Sequence, residues 1–111
     1  MALDPERAAE LFAGLGPVRC RRMFGGTGVY SGDVMFALEA RDTLYLKSDA
    51  TTDAAFDAEG CEPFSYETGG GRRVITSYRL IPARLLDDPD DLAPWAERAL
   101  AVARRVKLRK R

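Results

Sequence analysis

Arg22-Met23-Phe24-Gly25-Gly26-Thr27-Gly28-Val29-Tyr30 is closely followed by Val34-Met35-Phe36-Ala37-Leu38 and then by Thr43-Leu44-Tyr45-Leu46-Lys47. Gly25, Gly26 and Gly28 between bulky apolar and aromatic residues favour a sharp backbone feature feeding a sheet, because glycine reaches positive φ without steric cost. After that corner the hydrophobic period is two. Thr27–Tyr30 and Val34–Ala40 flank Ser31-Gly32-Asp33, a compact composition suited to a hairpin. Strict alternation puts Val34, Phe36, Leu38 and Ala40 on one face and Met35, Ala37 and Glu39 on the other. Arg41-Asp42 makes the next tight turn, and Leu44 and Leu46 alternate with Tyr45 and Lys47. The expectation is an antiparallel meander.

Upstream, Val18 and Cys20 suit one side of a short extra strand with Arg19 and Arg21 on the other. Before it comes a helix. Asp4 is a good N-cap, Pro5 fits the first turn, and Ala8, Leu11, Phe12 and Leu15 share a face until Gly14-Leu15-Gly16-Pro17 stops it. Downstream, Ser48 or Asp49 opens a second helix through Ala54, Phe56 and Ala58, closed by Gly60. Pro63–Tyr66 and Val74–Ile81 read as a strand pair around Gly69-Gly70-Gly71-Arg72. Asp88 caps and Pro89 starts a last helix striped by Leu92, Trp95, Ala96, Ala99, Ala103 and Val106, with Asp90 and Asp91 near its positive end.

Amphipathic helices and an antiparallel sheet with one apolar face complete each other. The expected fold class is therefore α+β, a two-layer sandwich of an antiparallel sheet covered by helices. The order is α-β(3)-α-β(2)-α, with the strand at Val18 short. One domain is expected over residues 1–103, followed by a basic C-terminal tail at 104–111.

A chain of 111 residues, 46% hydrophobic and 31% charged, suits a water-soluble globule with its own core. No apolar run approaches the ~20 residues of a membrane span, and the N-terminus lacks the pattern of a secretory signal, so no membrane association and a cytoplasmic location are expected. Cys20 and Cys61 lack a CxxC spacing and are expected as free thiols. The absence of histidine removes the commonest general base near neutral pH and the commonest metal ligand. Formal net charge is zero, yet all 17 acidic residues lie before residue 104, while Arg104, Arg105, Lys107, Arg109, Lys110 and Arg111 carry six of the 17 basic ones. Such a segment fits nucleic-acid phosphates, with binding that weakens as salt rises. It equally suits capping the negative end of the last helix.

The blocks Met23–Tyr30, Met35–Leu38, Leu44–Lys47, Pro63-Phe64-Ser65-Tyr66, Ser77-Tyr78 and Asp88–Leu92 with Trp95 occur in an order that resembles the N-terminal domain of the TfoX/Sxy competence regulators. The residues carrying the resemblance are Phe24, Gly25, Gly26, Gly28, Tyr30 and Phe36 in the first blocks. Leu44, Tyr45, Lys47, Pro63, Phe64, Tyr66, Tyr78 and Trp95 carry it further on. The resemblance implies a fold like that of type III secretion chaperones. It also implies a positive regulator of competence genes that works with the cAMP receptor protein at promoters, in proteins that carry a second, C-terminal domain. A stand-alone N-terminal domain is the expectation for this chain.

Catalytic readings are weaker. Gly25-Gly26-Thr27-Gly28 matches neither GxGxxG nor the Walker pattern and leads into a strand instead of a helix N-terminus. Asp87, Asp88, Asp90 and Asp91 cluster where helix capping explains them, and Ser77 beside Tyr78 has no histidine to activate it. Arg22–Tyr30 has a likeness to the aromatic strand of RNA-recognition domains, but the element order disagrees. No catalytic, cofactor-binding or metal-binding residue is assigned, and no cofactor is expected. The expected class is a non-enzymatic regulatory or interaction module, partnered by another protein or a second copy of itself through the sheet face away from the helices, which would present Tyr45 and Lys47 with Tyr66 or Tyr78 as neighbours. The alternatives are nucleic-acid association through residues 104–111 and, least favoured, a small-molecule enzyme.

Overall fold

The computed structural model describes residues 3–23 and 25–109, so Phe24, Lys110, Arg111 and the side chain of Arg109 lie outside the described residues. Helix α1 (Pro5–Leu11) begins where the Asp4 carboxylate accepts a hydrogen bond from the Arg7 amide at 2.7 Å, with proline at its first position. Four strands follow: β1 (Arg19–Met23), β2 (Gly26–Ser31), β3 (Val34–Ala40) and β4 (Thr43–Lys47). Then come α2 (Asp53–Ala58), β5 (Pro63–Thr68), β6 (Gly71–Leu80), a 3-10 turn over Ala83–Asp87, and α3 (Pro89–Arg109). The strand expected at Val18 is thus a full member of the sheet, giving four strands before α2 where the counted order had three.

All pairings are antiparallel, in the spatial order β1-β2-β3-β4-β6-β5. Gly25, at φ 79°, supplies the corner between β1 and β2. The β3–β4 turn holds Arg41 and Asp42 at φ 52° and 64°, an uncommon conformation for residues with a side chain. Glu39 steadies that turn, its carboxylate accepting from the Asp42 amide at 2.9 Å.

The helices stack on one face of the sheet. α3 lies over β3 and β4, α1 touches β1 and α3, and α2 touches β6. The face beneath them carries Val29, Ala37 and Leu46 in register, each without exposed surface, and the same row ends at Arg79, which reaches Asp57 of α2. Phe36 is equally buried and meets Phe12 edge-on at 5.1 Å. On α3, Leu92, Ala96, Ala99, Leu100, Val102 and Ala103 are buried, and Trp95 packs edge-on against Phe56 of α2 at 5.2 Å. Removing a side chain such as Leu92 from water contributes roughly 1.5–3 kcal/mol.

Strict alternation along β3 does not survive. Val29 faces Ala37 while Tyr30 faces Met35, so β3 carries one extra residue, Phe36, at a bulge. Phe36 and Ala37 both turn to the helices, and everything after them changes side. Leu38 and Ala40, expected beside Phe36, lie on the opposite face, and Glu39 is buried under the helices at 4% exposure. The second helix also starts later than expected. Ser48 and Asp49 form a turn in which the Ser48 hydroxyl donates to Asp53 at 2.6 Å and Asp49 accepts from Thr51, so Thr52 becomes the residue before α2.

Candidate functional site

The sheet face away from the helices has no covering layer among the described residues. Two rows of register partners cross it. One runs Arg21, Gly28, Leu38, Tyr45 and Leu80, from β1 to β6. The other pairs Arg19 with Tyr30 and Met35 on one side and Lys47 with Tyr78 on the other. A Cβ built on Gly28 would meet the sulfurs of Met35 and Met23 at 2.6 and 3.1 Å and the Tyr30 ring at 3.2 Å, which fixes all three on this side. At the β5 end, Phe64 meets Tyr45 edge-on at 4.9 Å and lies nearly parallel to Tyr66 at 5.9 Å.

Two cations of the face rest on its rings. The Arg19 guanidinium lies 5.9 Å from the Tyr30 centroid and the Lys47 ammonium 4.8 Å from that of Tyr78. Burial, with a lesser contribution from Tyr30, pushes the Tyr78 hydroxyl far above its ordinary range, and burial raises Tyr45 as well. Both phenols therefore stay neutral across the physiological range.

The residues carrying the family resemblance divide between the two sides. Phe36, Leu44 and Trp95 pack toward the helices. Gly28, Tyr30, Tyr45, Lys47, Phe64, Tyr66 and Tyr78 belong to the open face, with Gly25, Gly26 and Pro63 shaping the strand ends. Phe24 lies outside the described residues. Tyr45 and Lys47, with Tyr66 or Tyr78 beside them, are the sequence's own candidates for an uncovered face. Leu38 is missed because of the bulge, and the run Met35-Phe36-Ala37-Leu38, apolar on both sides of the pleat, is the signal that alternation fails there.

Residues 104–109 are not a trailing tail but the last turns of α3. Arg105 donates to Asp49 at 3.0 Å and to the Thr51 hydroxyl at 3.1 Å, and Lys107 bonds Asp33 at 2.5 Å. Two cations proposed for phosphates are thus held by carboxylates of the body, in exposed pairs worth about 0–1 kcal/mol each. Arg104 is exposed.

Hydrogen bonds from Thr51, and then the Arg105 guanidinium, hold the Asp49 carboxyl below its ordinary value near 3.8. Because the folded chain then binds a proton less readily than the unfolded one, this contribution is complete above about pH 4 and fades as pH falls through the depressed value. Asp49→Asn should therefore lower the urea midpoint at pH 7 and lower it by less near pH 2. A difference unchanged between those two pH values would contradict the assignment.

A pocket of about 120 Å³ lined by Thr52, Phe56, Trp95 and Arg98, and another of about 190 Å³ by Arg7, Leu86 and Asp87, fall below the roughly 300–1,000 Å³ usual for small-molecule sites. Asp88 caps α3 through the Asp91 amide at 3.1 Å. Cys20 and Cys61 are free thiols, each raised chiefly by burial. Among the described residues no three His, Cys, Asp or Glu side chains gather to hold a metal ion, and no helix is long and apolar enough to cross a membrane.

Residues 10–103 match the family model of the TfoX N-terminal domain. The chain belongs to this family. It is 38% identical over 61 residues to the DNA transformation protein TfoX1 of Aliivibrio fischeri (strain ATCC 700601 / ES114), covering 55% of this chain and 29% of that relative. The matched part spans less than a third of the relative's length. The TfoX N-terminal match takes in all six strands, and so the whole open face, and ends before Arg104.

Proposed function

We propose that this TfoX N-terminal domain is a non-catalytic regulatory module of competence-type gene control, acting by docking a protein partner on the open face of its sheet. The observation that carries this reading is the uncovered row from Arg21 through Gly28, Leu38 and Tyr45 to Leu80, backed by a filled layer of helices. A face mixing half-buried rings, methionine and arginine matches the composition that recurs at interface centres. The name of the Aliivibrio fischeri relative, a DNA transformation protein, supplies the regulatory context. Such a role belongs in the cytoplasm, where the free thiols of Cys20 and Cys61 are at home. Phosphate binding by residues 104–111 has less support, since Arg105 and Lys107 are engaged by Asp49 and Asp33.

The test is the transcript profile of the native host with the gene deleted and then restored on a plasmid. Deletion should change a defined set of transcripts, the unaltered chain and Arg104→Glu should restore it, and Leu38→Glu should not. Leu38→Glu purified with an unchanged far-UV spectrum yet restoring the profile would remove the docking face. A deletion that alters no transcript would remove the regulatory role.

A further inference from the structure

Resting on the reading of the open face as the docking surface, we infer that its partner is an acidic polypeptide segment in which carboxylates alternate with apolar or aromatic side chains. The argument begins with where charge falls on the strands. Their only carboxylates are Glu39 and Glu67. Glu39 is buried under the helices, and Glu67 pairs across the β5–β6 hairpin with Arg72, on the side away from Tyr66. The open face carries Arg19, Arg21 and Lys47, and Arg73 opposite Tyr66. A chain of zero formal charge thus presents one sheet surface whose strand residues are cationic or uncharged. Its carboxylates are spent on helices, turns and the buried side.

That distribution discriminates between occupants. A second copy docked face to face would offer Arg19, Arg21 and Lys47 only cations or uncharged groups from the facing strands and no carboxylate, so the pairing lacks charge complementarity. A single-stranded nucleic acid has the right sign, but it needs ring faces free for bases. Here Tyr30 lies beneath Arg19 and Tyr78 beneath Lys47, while Tyr45, Phe64 and Tyr66 pack on one another. Tyr78 is only 6% exposed. What remains available is a surface of the half-buried Met35, Leu38 and Leu80 with the more exposed Met23 and Tyr66 toward its two edges, flanked by cations, which accepts apolar side chains with carboxylates beside them.

The experiment uses the purified chain and three fluorescein-labelled probes, a random glutamate–tyrosine copolymer, poly-glutamate and a thymidine 20-mer, read by anisotropy at low and high salt. The glutamate–tyrosine copolymer should bind most tightly and weaken as salt rises. The double variant Arg19→Glu with Arg21→Glu, changed only on the exposed edge strand, should lose about tenfold or more in affinity, while Arg104→Glu keeps it. Failure of the copolymer to bind, or binding indifferent to the β1 reversal, overturns the inference. Tighter binding of the thymidine 20-mer, abolished by the same reversal, overturns it in favour of nucleic acid. Self-association lost in Leu38→Glu, with no copolymer bound, overturns it in favour of a second copy. If Leu38→Glu fails to restore the transcript profile while the copolymer does not bind, the docking face stands and the acidic partner alone falls.

Discussion

Phe36→Ala should lower the unfolding free energy by about 3–5 kcal/mol, seen in urea as a much reduced midpoint with an unchanged slope. The side chain is wholly buried, and its ring meets Phe12 edge-on at 5.1 Å, joining the bulge of β3 to the residue that ends α1. Alanine removes the transfer free energy of the ring, the edge-on contact, and the packing of a space that neighbours under α3 cannot close. A domain of this size holds about 5–15 kcal/mol in total, so the variant sits near its folding threshold. Phe36→Leu, which keeps most of the volume, should lose far less. A loss below about 1 kcal/mol for the alanine variant would mean that the bulge does not deliver Phe36 to the core.

Gly26→Ala should also be strongly damaging, at roughly 1–3 kcal/mol or more. A methyl group at Gly26 would fall on the carbonyl oxygen of Glu39, and the obstacle is backbone. Gly26 stands opposite Ala40 in the β2–β3 ladder, so relief requires the strands to part just where Glu39 supports the following turn. Gly28→Ala is the informative control. Its new methyl would meet the thioether ends of Met35 and Met23, which can swing aside. Thermal melts should therefore rank the unaltered chain above Gly28→Ala and Gly28→Ala above Gly26→Ala. The reverse order would show that crowding on the open face outweighs the backbone collision.

Most of the element order is legible because the hydrophobic period changes cleanly. Asp4-Pro5 and Asp88-Pro89 announce α1 and α3, and the turns at Ser31-Gly32-Asp33 and Arg41-Asp42 lie between alternating runs. Three features are hidden for physical reasons. β1 reads as too polar to be a full strand because it is a sheet edge, where arginines face solvent on both sides. The bulge at Phe36 hides because an inserted residue leaves composition untouched and only reverses the sides that follow. The anchoring of Lys107 by Asp33 and of Arg105 by Asp49 hides because the fold brings these partners together across more than fifty residues of sequence. The candidate site was visible in Tyr45, Lys47, Tyr66 and Tyr78. Leu38, Leu80 and the alignment of Arg21 with them emerge only from register.

On the open face the strands carry cations and no carboxylate, so this electrically neutral chain still presents a local positive patch. A neutral body with such a patch still turns in the field of an acidic neighbour before the two touch, so its encounter rate should climb in dilute electrolyte. Orientation during approach, not residence after contact, is then the step that ionic strength governs.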